Sequence, residues 1–413
     1  MNNYKEITMC EVCDASQLKR VLNLGVHPLC DDLVPVGGLE VCSEYPIDIS
    51  YCLECNTAHQ SYQVEKKLLF PPTYHYRARF TSDVLDGMSE LVDACEAQLD
   101  SLHEKKVLDV GCNDGSLLGF FKKKGAITIG IEPTGAIKDA SLGGHSLYND
   151  FFDKASAAKV LKDHGKPDII SFTNVFAHIE DLNGLIESLR GLISPTTILV
   201  VENHYLGAVL KKGQFDTFYH EHPRTYSLGS FGKIADKLGL SVISTEFPAR
   251  YGGNIRVFMG SSSPSSTTKN NNVTAILKEE TSFFNEIKKM QNNVELWKES
   301  KSREINSLVE IHGPLKAKAF PGRAAILIKL LGLDESSIEC VYERPGSMKI
   351  GHYLPGTRIP IKSDDELFAL PDSPPVIINL AWHISAEINN FLRKKGFCGE
   401  IIDIYNPELI EDN

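Results

Sequence analysis

The middle of the chain, from about residue 80 to 260, contains short apolar runs with helical stretches between them. The runs lie at residues 106–110, 127–131, 168–172 and 197–201. Strands that alternate with helices are typical of parallel sheets, because a parallel connection needs a crossover that is long enough to hold a helix. The pattern therefore predicts a parallel α/β domain.

A second region with the same alternation follows, from about residue 314 to 405. Its apolar runs lie at residues 324–328, 338–342 and 376–380, and turns or helices separate them. We predict a second, smaller α/β domain here.

A polar tract at residues 261–272 lies between the two regions, and its composition predicts a loop. After it, apolar positions recur at helical spacing over residues 275–311. This spacing predicts a long helix, with a bend or break near Ser300.

The first 70 residues differ from both regions, since they are rich in cysteine and turn-forming residues and contain short alternating segments. They predict a small β-rich module with little apolar core of its own. The predicted division of the chain has four parts: a module of residues 1–72, a domain of residues 73–265, a linker with a long helix at residues 266–312, and a domain of residues 313–413.

Length, charge and the distribution of apolar residues limit the number of domains and the kinds of partner that we expect. A chain of 413 residues predicts two or three domains. Acidic residues outnumber basic ones by 54 to 43, which argues against a nucleic-acid partner, because Lys and Arg hold such partners. Neither an apolar run of the roughly 18 residues that span a membrane nor a signal-peptide core is apparent. We therefore expect a cytoplasmic protein without a membrane partner.

The ten cysteines of such a protein are expected to be metal ligands or buried thiols. Two Cys-x-x-Cys knuckles lie in the N-terminal module, formed by Cys10 and Cys13 and by Cys52 and Cys55. Two knuckles supply the four sulfur ligands of a tetrahedral zinc site, and such a closed site would be structural. The long spacer between the knuckles leaves Cys30 or Cys42 open as an alternative ligand.

The most informative stretch of the chain is a predicted strand at residues 107–110, a glycine-containing turn and a helix at residues 117–123. Gly111 and Gly115 allow a ligand to approach the backbone closely, and the helix N-terminus suits a carboxylate. The spacing Gly-x-x-x-Gly differs from the Gly-x-Gly-x-x-Gly pattern that binds a pyrophosphate. It resembles the motif with which class I methyltransferases bind S-adenosylmethionine (SAM).

The next predicted strand ends at Glu132, and an acidic residue at this point suits the two ribose hydroxyls of SAM. The predicted cofactor-binding residues are Asp109, Gly111, Asn113, Gly115 and Glu132.

A run of titratable and aromatic side chains, Tyr219-His220-Glu221-His222, is costly to bury without partners. A histidine in this run, with an ordinary pKa of about 6.5, could act as a general base. His178 follows a predicted strand, at the sheet edge where ligands bind in open α/β folds. A solvated loop and a second metal site are the alternative interpretations of the run.

Three separated motifs of this chain resemble the bacterial sugar C-methyltransferases, which methylate C3 of nucleotide-linked 4-keto-6-deoxy sugars. The motifs are the four-cysteine module, the glycine-containing turn with Gly111 and Gly115, and residues 215–222. Residues 349–361 look like the C-terminal domain of that family. The resemblance covers nearly the whole chain and implies an α/β protein of three parts: a zinc-binding module, a class I methyltransferase domain and a smaller Rossmann-like domain.

The resemblance also implies site residues and ligands. The implied catalytic residues are His222 as the base, with Tyr219, Glu221 and His178. The implied substrate-binding residues are Tyr76, Lys349 and Arg358. The ligands are SAM, a structural Zn²⁺ and a sugar linked to thymidine or guanosine diphosphate. The last domain departs from the family pattern at residues 320–324 and 343–349 and at Trp382-His383, so the nucleotide contacts stay open.

The implied reaction begins when a base removes the acidic C3 proton and the C4 ketone takes the charge as an enolate. The enolate carbon then attacks the sulfonium methyl group in line, a step that needs alignment but no metal. Three alternatives remain. The chain could be an O- or N-methyltransferase with the same loop, an NAD-dependent oxidoreductase, which the glycine spacing disfavours, or a non-catalytic zinc and SAM binding module, which residues 219–222 disfavour.

Overall fold

A computed structural model describes residues 3–70, 77–80, 82–261 and 273–407. The chain forms two compact units, each assembled from separate segments. The first unit comprises residues 1–20, 50–209 and 221–284, and the second comprises residues 21–49, 210–220 and 285–413.

The strands of the described residues are β1 (Tyr4–Glu6), β2 (Leu18–Pro28), β3 (Glu44–Cys52), β4 (Thr57–Gln60), β5 (Tyr62–Val64), β6 (Lys106–Val110), β7 (Ile127–Ile131), β8 (Ser146–Tyr148), β9 (Ile169–Thr173), β10 (Ile198–His204), β11 (Arg224–Thr225), β12 (Ser241–Glu246), β13 (Asn254–Gly260), β14 (Leu315–Lys318), β15 (Ile338–Glu343), β16 (Ile361–Ser363), β17 (Val376–Asn379) and β18 (Glu400–Asp403).

The α-helices are α1 (Lys66–Leu69), α2 (Ser82–Leu99), α3 (Ser116–Lys123), α4 (Ile137–Ala140), α5 (Lys154–His164), α6 (Leu182–Leu192), α7 (Leu206–Lys211), α8 (Leu228–Leu238), α9 (Val273–Glu279), α10 (Phe283–His312), α11 (Ala324–Leu331), α12 (Asp364–Phe368) and α13 (Ser385–Lys394). Within the described part of the chain, no helix is long and apolar enough to cross a membrane.

The first unit is built around a seven-stranded sheet with the order β12-β13-β10-β9-β6-β7-β8. Its strands from β10 to β8 are parallel, β13 pairs antiparallel with β10, and the edge strand β12 pairs antiparallel with β13 and so runs in the direction of β10. The four apolar runs of the sequence are four of the parallel strands, and each begins within one residue of its predicted position. Most residues of β6 and β9 are buried, which is why these strands are mainly apolar, with the buried Asp109 in β6 and the buried Ser171 in β9 as exceptions.

One face of this sheet packs against α2 and α3. Val107 of β6 and Ile169 of β9 belong to the same apolar core as Leu91 of α2 and Phe121 of α3. The strands therefore have a fixed support on this side, and their carboxyl ends share one sheet edge.

A second pairing in the first unit involves the short strand β11, which lies two residues after His222. It is antiparallel to β4, with Arg224 opposite His59 and Thr225 opposite Ala58. The segment that follows the titratable run is thereby attached to the cysteine-rich part of the chain.

The second unit contains a five-stranded parallel sheet with the order β16-β15-β14-β17-β18. This order, in which the first strand lies in the centre and the chain reverses direction across the sheet, is that of a Rossmann-like domain. The predicted fold class is confirmed in both units.

Residues 324–328 correct one detail of the prediction. They are part of helix α11, whereas the first strand of this sheet is β14 at Leu315–Lys318. A short apolar run that is buried on every side has no period that distinguishes a helix from a strand. The two alanines at its start, Ala324 and Ala325, favour the helix.

The predicted break near Ser300 is wrong, because α10 continues past this residue. The interruption lies earlier, at a 3₁₀ turn formed by Glu280–Ser282. In this turn Glu280 is fully buried and accepts hydrogen bonds from the backbone N–H groups of Leu228 (2.6 Å) and Gly229 (2.9 Å). A carboxylate that caps α8 in this way holds the turn in place.

Candidate functional site

The four predicted zinc ligands form one cluster in the first unit. The Sγ atoms of the four cysteines, Cys10, Cys13, Cys52 and Cys55, all lie within 4.8 Å of one another. Each knuckle ends on a residue with a left-handed backbone, Asp14 (φ 62°) and Asn56 (φ 56°). Asp and Asn tolerate this conformation better than most residues, so they close the two tight turns that bring the thiols together.

The donor set fits zinc, since four sulfur atoms at this spacing can surround one ion tetrahedrally. Three of the four cysteines are buried, and Cys13 is half-buried, so the cage is closed. Cys42 is not part of it, because its thiol donates to the carbonyl oxygen of Asp32 at 3.2 Å. Among the described residues, this cluster is the group with the geometry of a metal site, and the two knuckles supply all its ligands.

Two polar side chains next to this cluster could not be identified from the sequence. Nε2 of His59 lies 3.3 Å from Sγ of Cys10, and the hydroxyl of Thr57 lies 3.0 Å from Sγ of Cys55. Groups that hydrogen-bond to a thiolate ligand orient it and reduce its charge. Only their position on β4, directly after the second knuckle, could have indicated them.

The predicted cofactor loop connects β6 to α3. Gly111 has φ 73° and Gly115 has φ 78°, values that L side chains rarely adopt. A Cβ atom at Gly111 would lie 2.5 Å from the side chain of Val175, so no side chain fits there. The loop therefore presents bare backbone in front of the N-terminus of α3, which is a suitable cradle for a carboxylate.

The two acidic side chains that were predicted to bind the cofactor, Asp109 and Glu132, have different surroundings. The carboxylate of Glu132 accepts hydrogen bonds from the backbone N–H of Asn113 (3.0 Å) and of Thr134 (2.8 Å), and therefore fixes the loop. Asp109 accepts a hydrogen bond of 2.7 Å from the hydroxyl of Ser171. Burial raises the pKa of Asp109 to about 7, so this carboxyl group titrates close to neutral pH.

The loop is also held from outside, by residues that the sequence did not indicate. The backbone N–H of Arg79 donates to Oδ2 of Asp114 at 2.8 Å, and that of Ala78 donates to Oδ1 of Asn113 at 3.1 Å. Nε of Arg77 forms an ion pair with Asp139 at 2.8 Å. Asn113 therefore stabilises the loop through two hydrogen bonds, one accepted by its side chain and one donated by its backbone N–H.

Three histidines gather in the first unit. The rings of His178 and His222 lie 4.8 Å apart, and those of His204 and His222 lie 5.2 Å apart. His178 follows β9 and His204 ends β10, so neighbouring parallel strands bring them to one sheet edge. His222 is buried, and His178 also packs edge-on against Phe70 at 5.2 Å.

The sequence prediction placed His178 and His222 near the site but missed His204. Nδ1 of His178 donates to the carbonyl oxygen of Glu221 at 2.6 Å. Burial of the ring lowers the pKa of His178 to about 4, although hydrogen bonds to the backbone of Glu221 and Asn174 act in the opposite direction. The ring of His178 is therefore neutral at physiological pH.

Tyr219 and His220 belong to the second unit, together with the segment before them. That segment is fixed by Asp216, whose carboxylate accepts two hydrogen bonds from the guanidinium of Arg323 (2.8 and 2.9 Å) and one from Nε1 of Trp382 (2.8 Å). A bidentate, buried pair of this kind is rigid. Asp216 and Arg323 were not among the predicted site residues.

The predicted substrate-binding residues of the second unit have backbone partners. Nζ of Lys349 donates to the carbonyl oxygen of Phe320 at 2.9 Å. The guanidinium of Arg358 donates to the carbonyl oxygens of Gly38 (2.8 Å) and Glu40 (3.0 Å). Tyr76, the third such prediction, lies outside the described residues.

Models of known protein families match three consecutive parts of the chain. They are described as a zinc binding domain, at residues 10–70, a methyltransferase domain, at residues 75–245, and a C-methyltransferase C-terminal domain, at residues 249–399.

A full-length relative is the C-methyltransferase NovU of Streptomyces niveus, which is 27% identical over 98% of this chain and 97% of its own. A ubiquinone biosynthesis O-methyltransferase of Histophilus somni is 32% identical, over 25% of this chain and 47% of its own. Among solved structures, the magnesium protoporphyrin IX methyltransferase of Synechocystis PCC 6803 with bound SAH covers 44% of this chain and 84% of its own, at 18% identity and a TM-score of 0.35.

Proposed function

We propose a specific reaction for this chain, which belongs to the SAM-dependent C-methyltransferases with an N-terminal zinc-binding domain. The sequence predictions of that family, of SAM as the cofactor and of a structural zinc are confirmed. The proposed reaction adds a methyl group to C3 of a 4-keto-6-deoxy sugar that is linked to thymidine or guanosine diphosphate. The observation that carries it is the pair His178 and His222, whose rings lie 4.8 Å apart.

C-methylation of a sugar requires a base, because a sugar carbon becomes nucleophilic only after a proton α to a ketone is removed. We assign this role to His222. SAM, when bound, supplies the electrophilic methyl group at its sulfonium. The chain itself must hold the C3 carbon in line with that methyl group and must stabilise the negative charge that develops on the C4 oxygen.

His178 supports this assignment through its charge state. With a pKa of about 4, its ring stays neutral, so it does not repel the positive charge that His222 acquires when it takes the C3 proton. We propose that His178 orients the sugar, and that Tyr219 and Glu221 act beside the base. The half-buried ring of His204, 5.2 Å from that of His222, is a further candidate for sugar contact.

The nucleotide diphosphate needs cationic partners, and we propose Lys349 and Arg358, with Tyr76 on the sugar. The guanidinium of Arg358 has five N–H groups. Its two hydrogen bonds to backbone carbonyl oxygens use only some of them. Zinc would be held by the four cysteines and would take no part in the chemistry. The four-part division at residues 72, 265 and 312 remains our proposal for the domain boundaries.

A panel of nucleotide-linked 4-keto sugars, incubated with the enzyme and SAM, tests the proposal. We expect a mass gain of one methyl group with at least one member of the panel. In the proton NMR spectrum of the product, a methyl group on a quaternary carbon lies far upfield of a methoxy group. A methoxy signal would show O-methylation, and turnover with NAD in place of SAM would show an oxidoreductase, so either result would overturn the proposal.

A further inference from the structure

Arg224 is an arginine without exposed surface (0%) that lies two residues after His222. It belongs to β11, and its register partner on β4 is His59. A buried guanidinium needs partners for its permanent charge and its five donors, because an unpaired buried charge is strongly destabilising. The partners of Arg224 therefore indicate which parts of the first unit it holds together.

Its first partner is Glu11, whose carboxylate accepts a hydrogen bond from Nη1. Glu11 directly follows Cys10 in the first zinc knuckle, two residues before Cys13. The same carboxylate accepts a hydrogen bond of 2.8 Å from Nε2 of Gln63, so it is fixed from two sides. Arg224 is thereby attached to the loop that carries two of the four zinc ligands.

Its second partners are backbone groups next to His178. Nη2 of Arg224 donates to the carbonyl oxygen of Ile179, and both terminal nitrogens lie 3.4 Å from the carbonyl oxygen of Glu180. Its Nε donates to the hydroxyl oxygen of Tyr226 at 2.9 Å. The segment that follows His178 is held by the same guanidinium as the zinc knuckle.

Backbone hydrogen bonds form a second connection between the zinc-binding segment and the segment that carries His222. The N–H group of Gln60 donates to the carbonyl oxygen of Pro223, the residue after His222, at 2.8 Å. Nε2 of the neighbouring His59 lies 3.3 Å from Sγ of Cys10. The chain of contacts from the zinc ligands to His222 is therefore short and continuous.

We infer that Arg224 is a positioning residue, which uses the zinc knuckle as a fixed support for the two loops that carry His178 and His222. Its effect on catalysis rests on the proposed function, whereas its effect on the two loops does not depend on the substrate. Lysine cannot replace it fully, because an ammonium group lacks the planar fork that reaches a carboxylate and two carbonyl oxygens at once. The zinc module would thus stabilise the acid–base site as well as itself.

Hydrogen–deuterium exchange of the full-length, zinc-loaded protein tests the inference without any substrate. In Arg224→Met we expect the amides of residues 174–182 and 219–227 to exchange about tenfold faster or more, because local opening no longer breaks the guanidinium contacts. Arg224→Lys should show a smaller increase. Zinc content, measured by plasma mass spectrometry, should stay at one equivalent.

The matched control is Lys237→Met. Lys237 of α8 also attaches a residue next to a zinc ligand, since its Nζ forms an ion pair of 2.8 Å with Asp14, but this pair is partly exposed. Its loss should leave the exchange of both segments at the parent rate. Parent rates of both segments in Arg224→Met would overturn the inference.

Turnover gives an independent readout. Arg224→Met should lower kcat for methylation about 10–100-fold, because a small displacement of the base costs alignment, while KM for the sugar and the Kd of SAM stay near the parent values. A change in KM alone would show that Arg224 contacts substrate instead of positioning the loops, and would overturn the inference.

Two further outcomes remain interpretable. If Arg224→Met loses zinc or exchanges faster throughout the first unit, Glu11→Gln, which keeps the size of the side chain, decides: faster exchange confined to the two segments supports the inference, and parent exchange there overturns it. If the parent enzyme methylates no member of the sugar panel, the proposed function is wrong, but the exchange rates still decide the role of Arg224.

Discussion

Nδ1 of His178 donates a hydrogen bond of 2.6 Å to the carbonyl oxygen of Glu221, the residue before His222. A carbonyl oxygen can only accept, so the bond fixes the proton of the neutral His178 ring on Nδ1 and fixes the plane of the ring. Because the rings of His178 and His222 lie 4.8 Å apart, this one bond also restricts the orientation of the proposed base.

A second neutral histidine makes the stability of the protein depend on pH. Nε2 of His220 donates to the carbonyl oxygen of Tyr45 at 3.0 Å, and burial lowers the pKa of His220 to about 4. In the unfolded chain this pKa is about 6.5. Between the two values the unfolded chain binds a proton that the folded chain does not, so the free energy of unfolding falls as the pH decreases from 6.5 to 4.

We therefore expect urea unfolding at pH 7, 6 and 5 to show a smaller loss of stability for His220→Gln than for the parent, by up to about 1.4 kcal/mol per pH unit. Glutamine keeps a donor for Tyr45 and cannot titrate. The control is His103→Gln, since His103 is exposed. Equal slopes for the parent and His220→Gln would contradict the neutral, buried state of His220.

The zinc site gives a second prediction. Cys52→Ser should lower both the zinc content and the melting temperature, because a hydroxyl is a poor replacement for a thiolate ligand of zinc. Cys398→Ser is the control, since Cys398 is exposed and lies outside the cluster. Metal analysis and differential scanning calorimetry of the purified variants measure the effect. A full equivalent of zinc with unchanged melting of Cys52→Ser would rule out the four-cysteine assignment.

The cofactor loop gives a third prediction. Glu132→Ala removes the acceptor for the backbone N–H of Asn113 in the loop and of Thr134 after β7, and should weaken SAM binding about tenfold or more, as expected for hydrogen bonds to a charged group. Asp109→Ala should weaken it as well, whereas binding of the sugar should change little. Glu187→Ala, at an exposed acid of α6, is the control. Titration calorimetry with SAM checks this, and an affinity near that of the parent for both variants would mean that the loop has been misread.

The central strands and the four cysteines were predictable because each depends on local sequence alone. A strand that is buried on both faces, such as β6 or β9, must be mainly apolar, and a zinc knuckle needs two cysteines at a fixed spacing. The loop after β6 was equally predictable, because its conformation requires glycine at positions 111 and 115.

The residues that the sequence did not indicate act through distant partners. Arg224 and Glu11 lie 213 positions apart in the chain, and Arg323 and Asp216 lie 107 positions apart. An isolated arginine or acid has no pattern that distinguishes a buried pair from a solvated surface charge. His204 was missed for a related reason, since only the pairing of β9 with β10 places it beside the other two histidines.

The last prediction concerns the order of events at His222. If it is the C3 base, proton removal precedes methyl transfer, and the two steps can be separated. The parent enzyme, given the keto sugar in deuterium oxide with S-adenosylhomocysteine in place of SAM, should exchange the C3 hydrogen for deuterium. His222→Asn keeps a similar size and some hydrogen bonding but cannot take the proton, so exchange and methylation should fall together, by about 10²–10⁴-fold.

Tyr219→Phe is the matched variant for this experiment, because it removes a polar group three positions away and leaves the imidazole intact. Its effect should be milder than that of His222→Asn if the tyrosine only orients the sugar or polarises an oxygen. Proton NMR of the recovered sugar measures the deuterium at C3, and mass spectrometry measures methylation in a parallel reaction with SAM. Deuterium incorporation at the parent rate in His222→Asn would place the base elsewhere. His178 would then be a poor replacement, since a pKa of about 4 makes its ring a weak base, and Glu221 or Tyr219 would be tested next.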